Sequence, residues 1–116
     1  MKKNVIQEKT FQFSLAIIEL YKRLQVDKEY ILSKQLLRSA TSIGANVEEA
    51  AAGISKKDFI MKLTISLKEA RESRYWIMLL DESDLTQIDV KEEFNKSEEI
   101  IKILTSIIKT TKENLN

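Results

Sequence analysis

Cysteine, histidine and proline are absent from this chain of 116 residues, and glycine occurs only at Gly44 and Gly53. Without cysteine there is no disulfide, no zinc–thiolate site and no thiol nucleophile. Without histidine there is no Ser-His-Asp or Cys-His arrangement, no imidazole acid–base work and no Glu-x-x-His ligand of a di-iron bundle. Any metal site would need oxygen ligands alone, and neither metal nor cofactor is expected. A chain so poor in turn residues holds few turns, so helices must take most of it. No apolar run approaches the ~20 residues of a membrane span. The opening MKKNVIQEKT sets Glu8 and Lys9 where a signal peptide needs its apolar stretch. A cytoplasmic location without membrane contact is expected.

What is present reads as one domain over residues 1–116, with 43% hydrophobic and 32% charged residues. The net charge is only +1, so no global field draws the chain to nucleic acid. The charge is unevenly placed. Lys56, Lys57, Lys62, Lys68, Arg71 and Arg74 face only Asp58, Glu69 and Glu72 in their stretch, whereas the segment from Asp81 to Glu99 is acidic. Solvated helix faces explain this arrangement, and so does a binding surface.

The 3.6-residue period predicts helices over 5–24, 28–52, 56–81 and 89–112. In the first, Ile6, Phe13, Ile17, Leu20 and Leu24 share a face, and Asn4 with Gln7 forms a capping-box pattern. Asp27 suits the N-cap of the second, whose stripe is Leu32, Leu36, Ala40, Ile43, Val47 and Ala50. Gly53 is placed to end it in the left-handed conformation. Ser55 is the expected N-cap of the third, with Ile54 and Phe59 placed for a hydrophobic staple. Ile60, Leu63, Leu67, Ala70, Ile77 and Met78 form that helix's main apolar face, and the fourth carries Phe94, Ile101, Leu104 and Ile108. Four amphipathic helices with short links predict an all-α fold, an antiparallel up-down-up-down four-helix bundle.

The stretch SATSIGANVEEAAAG gives up bulk in the middle of the second helix. Gly44 there costs about 1 kcal/mol relative to alanine, which a helix tolerates best where another backbone comes close. Arg38, Ser42, Asn46 and Glu49 step along one side, so residues 39–50 read as a close-contact surface with a polar seam. Arg74 lies on a mainly apolar stripe and needs a carboxylate, with Glu48 and Glu49 the candidates, unless it snorkels to water.

Two helices carry more apolar residues than one core stripe uses. Phe11, Leu15 and Ile18 lie on a different side of the first helix, and Met61, Ile65, Trp76 and Leu79 flank the core stripe of the third. A wide core stripe absorbs part of this surplus, and subunit contacts take the rest, so a homo-oligomer is expected.

Residues 35–80, QLLRSATSIGANVEEAAAGISKKDFIMKLTISLKEARESRYWIMLL, resemble a bacterial family of four-helix-bundle proteins. Its members are encoded in intervening sequences of 23S ribosomal RNA genes and were once labelled ribosomal proteins. The accessory variability proteins of diversity-generating retroelements look like relatives. The likeness covers most of the chain and is most specific at Arg38 to Glu49 and Ser55 to Leu80. It implies an antiparallel bundle assembled into a pentameric ring. The retroelement relatives are strongly basic and bind nucleic acid and a reverse transcriptase; this chain departs from them in its near-neutral charge.

Three function classes follow. The first is a non-catalytic oligomeric scaffold or adaptor associated with ribosomal RNA or a nucleic-acid enzyme. The second is an RNA-binding module in which Lys56, Lys57, Lys62, Lys68 and Arg71 meet phosphates. The third, an enzyme, is disfavoured: Glu48 and Glu49 point about 100° apart on a helix, and no base accompanies the serines in a recognisable motif. The scaffold reading is preferred.

Overall fold

A computed structural model describes residues 4–115. They form four helices and no strand: α1 (Val5–Val26), α2 (Leu32–Ala51), α3 (Lys56–Glu82) and α4 (Lys91–Glu113). Each helix packs on its neighbours in sequence and α4 returns to α1, while α1 and α3 occupy opposite corners. Contacts run antiparallel along every seam. Between α2 and α3, Arg38 meets Glu69 and Glu49 meets Lys62; between α1 and α4, Lys9 meets Glu99 and Arg23 meets Glu93. The fold is an up-down-up-down bundle.

On α1 and α3 the buried positions alternate strictly between three- and four-residue steps. On α1 they are Ile6, Thr10, Phe13, Ile17, Leu20 and Leu24, and on α3 Leu63, Ser66, Ala70, Ser73, Ile77 and Leu80. That spacing is the seam expected of helices crossing at shallow angles. Met78, assigned to the core from the sequence, is 36% exposed; Leu80 takes its place.

The helix ends depart from expectation in instructive ways. Asn4 and Gln7 form the expected reciprocal capping box on α1. Asp27, however, does not open α2; it ends α1, and its carboxylate accepts the Thr86 hydroxyl from the loop before α4. Lys28 turns through a positive φ of 65°, and α2 begins only at Leu32. There the Glu29 carboxylate accepts the amides of Ile31, Leu32 and Ser33 at 3.0, 3.1 and 2.6 Å. Delaying the helix by four residues moved the capping role from Asp27 to Glu29.

At the other end of α2, Gly53 has no positive φ. A Cβ there would sit 2.6 Å from Asp58 Oδ2 and 3.1 Å from the Ala50 carbonyl, so glycine makes room rather than supplying a left-handed turn. Ser55 caps α3 by accepting the Asp58 amide at 3.1 Å, as expected. No staple forms, because Ile54 is 98% exposed.

Candidate functional site

The small residues of α2 serve two seams. On one side, a Cβ added at Gly44 would lie 3.4 Å from the Thr10 carbonyl of α1, and Ser14 Oγ reaches the Ala40 carbonyl at 3.5 Å. On the other side, Ser39 and Ser73 share a hydrogen bond of 2.7 Å, and Ser66 donates to the Ile43 carbonyl at 2.8 Å. Ser39, Ser66 and Ser73 are all buried. Small side chains let α2 approach both neighbours, and the hydroxyls satisfy each other or backbone where water is excluded.

The outer edge of the α2–α3 seam is ionic. Arg38 donates to Glu69 at 3.2 Å and, at shorter range, to Glu72. Trp76 Nε1 donates to the same Glu72 carboxylate at 2.9 Å, which holds the half-buried indole in place. Burial works to raise the Glu72 carboxyl, but the hydrogen bonds from Trp76 and Arg38 outweigh it and hold it below the ordinary carboxylate range. The Arg38 guanidinium is raised correspondingly, chiefly by its bond to Glu72.

A lowered folded-state value means that this group stabilises the fold above about pH 4.3, and that the contribution fades as acid carries the pH down through the lower value. Acid unfolding of the Glu72→Gln variant is therefore expected to be flatter than that of the parent below about pH 4.3. Urea midpoints at pH 3 and pH 7 check this, and an equal acid loss in both proteins would count against it.

The polar seam expected from the sequence is only partly assembled. Arg38 joins Glu69 and Glu72, and Glu49 accepts from Lys62 at 3.0 Å. Asn46 donates to the carbonyl of half-buried Ser42 at 2.8 Å. Arg74 leaves this seam altogether. Its guanidinium lies 3.5 Å from Glu98 of α4 and 5.9 Å from the Phe94 ring centroid, while its Nε is buried without a hydrogen-bond partner among the described residues. Of the candidate partners on α2, Glu49 meets Lys62 and Glu48 meets Gln7 instead.

The basic residues of α3 also divide. Lys62 is held by Glu49, and Lys56 Nζ donates to the Asn114 carbonyl at 3.2 Å near the C-terminal end. Lys57, Lys68 and Arg71 remain together on the exposed outer face and join no ion pair among the described residues. Of the surplus apolar residues, Phe11, Leu15, Met61 and Ile65 are exposed, whereas Ile18, Trp76 and Leu79 are half-buried. Phe11 also lines a groove of about 230 Å³ between α1 and α2, over Gly44 and Ala45.

A second cleft, of about 390 Å³, opens between α3 and α4 over Ile77, Val90 and Phe94, with Asp81, Glu82 and Lys91 around it. Among the described residues no carboxylate cluster is placed to hold a metal ion, and no helix is long and apolar enough to cross a membrane.

Residues 2–106 match the family model of the 23S rRNA-intervening sequence proteins. The chain belongs to that family. A 23S rRNA-intervening sequence protein of this kind also matches a solved structure: a protein of unknown function from the S23 ribosomal protein family of Bacteroides thetaiotaomicron VPI-5482. The two are 47% identical with a TM-score of 0.83, over 90% of this chain and 99% of the other. No curated protein matches. For this family member the bundle is thus common property, and the reading of function rests on its surface.

Proposed function

We propose that the protein is a non-catalytic cytoplasmic scaffold or adaptor, which assembles with copies of itself and associates with ribosomal RNA or a nucleic-acid enzyme. The observation carrying this reading is the apolar surface left on two outer faces: Phe11 at 47% and Leu15 at 43% exposure on α1, and Met61 at 52% and Ile65 at 38% on α3. Contiguous apolar residues rimmed by charge mark interaction surfaces. The five-membered ring implied by the family resemblance is a natural form of such assembly. Light scattering at micromolar concentration tests it: a multiple of the 13.4 kDa chain mass supports the reading, and a monomer refutes it.

A second reading, RNA binding through α3, is favoured by one observation, the shared outer face of Lys57, Lys68 and Arg71. Lys56 and Lys62 are engaged elsewhere, so the test belongs on the other three. Replacing all three with alanine is expected to abolish retention of a 23S rRNA fragment on a filter. It should also reduce the slope of log affinity against log salt by about 2, from ~0.7 per single-strand phosphate contact. Wild-type protein that retains no RNA at low salt would end this reading.

A further inference from the structure

The outer faces of α1 and α3 carry the same spacing with opposite charge. On α1, Phe11, Leu15 and Glu19 follow Glu8 at offsets of 3, 7 and 11 residues. On α3, Met61, Ile65 and Lys68 follow Lys57 at offsets of 4, 8 and 11. All eight side chains are exposed. Each set therefore places two apolar residues between two like charges about 16 Å apart, at 1.5 Å per residue. The apolar positions differ by one residue, about 1.5 Å of rise. The two helices stand at opposite corners of the bundle, so one copy cannot bring its own faces together.

We infer that the occupant of each face is a second copy of this chain: α1 of one copy packs against α3 of the next. Glu8 then meets Lys57, Phe11 meets Met61, Leu15 meets Ile65 and Glu19 meets Lys68. Complementary charge across the contact selects this pairing over α1 on α1 or α3 on α3, which would set like charges together. The inference rests on the scaffold reading and names its partner surface.

The spacing fits either helix direction. Within one copy α1 and α3 run the same way, so the parallel arrangement keeps successive copies in one orientation, as a closed ring requires. In that arrangement the next rungs are Lys22 with Arg71 and Val26 with Tyr75. Val26 and Tyr75 are both exposed, at 85% and 54%. Lys22 with Arg71 is the one like-charge rung, and Glu19, 3.1 Å from Lys22, offsets it.

The test is a charge swap read by light scattering, with circular dichroism to confirm the helices. Glu8→Lys with Glu19→Lys is expected to reduce the mass to that of one chain, and Lys57→Glu with Lys68→Glu to do the same. All four substitutions in one chain should restore the wild-type mass. Because the chain has no cysteine, Leu15→Cys with Ile65→Cys gives an independent readout, a disulfide-linked ladder on a denaturing gel. A wild-type monomer overturns the scaffold reading and this pairing together. A wild-type oligomer that keeps its mass in both reversed variants, or fails to regain it in the fourfold variant, overturns the pairing alone. Loss of RNA retention by Lys57→Glu with Lys68→Glu at unchanged mass also overturns it, and makes the α3 face an RNA surface.

Discussion

Phe13→Ala is expected to lower stability by about 3–5 kcal/mol, the range for removing a buried phenyl from a core. Phe13 is 1% exposed, in the middle of the α1 stripe, between Ile6 and Thr10 on one side and Ile17 and Leu20 on the other. Among the described residues it is the only phenylalanine buried to that degree. The loss combines the transfer free energy of the ring with a cavity that backbone-tethered helices cannot close. For a domain of this size the melting temperature should fall by roughly 12–20 °C, at about 4 °C per kcal/mol. Assembly makes melting concentration-dependent, so parent and variant must be compared at equal concentration. A loss below about 1 kcal/mol would mean that the α1 core is far more plastic than packed interiors are.

Glu29→Ala should produce the second-largest loss, about 2–3 kcal/mol, above an ordinary cap deletion because three amides lose a charged acceptor. Glu29 is only 6% exposed, so water replaces the carboxylate poorly. The Ser33 hydroxyl donates to the Glu29 carbonyl at 2.7 Å and accepts from Gln25 at 2.9 Å. The cap is thereby tied to the end of α1. Glu29→Gln keeps an acceptor but loses the favourable charge at the helix N-terminus, and should cost less than the alanine variant. Urea unfolding measures both, and amide exchange at Ile31, Leu32 and Ser33 localises the effect. If those amides stay as protected in the alanine variant as in the parent, the cap is not what holds the start of α2.

The bundle was legible because each helix repeats its apolar residues at steps of three and four, and because Asn4 and Ser55 cap as their residue types dictate. The buried serines were not. Ser66 and Ser73 complete the α3 core stripe with Leu63, Ala70 and Ile77, but a polar residue type hides a buried position until its hydrogen-bond partner is known. Ser39 could be recognised as core only once Ser73 lay opposite it. Arg74 misled for a related reason: its stripe faces the α3–α4 seam, and which neighbour supplies a carboxylate is a tertiary fact. The role of Glu29 was masked by Asp27, the stronger capping residue type two positions earlier. The exposed stripes of α1 and α3 were visible as surplus, since a single core cannot use apolar residues on two sides of a helix.

The seam between α2 and α3 has a kinetic consequence. It is the most extensive contact in the molecule, and its two helices are joined by only the short turn around Gly53 and Ser55. Closing so short a loop sacrifices little chain entropy, and the Ser39–Ser73 contact forms only in one register. The α1–α4 seam is the opposite case, joining the two ends of the chain through the least extensive of the four contacts. Local contacts carry the fold until that last seam closes, which places the chain among fast-folding helical topologies. The hairpin of α2 and α3 is therefore expected to form in the folding transition state, with φ values near one across its seam and near zero where α4 returns to α1.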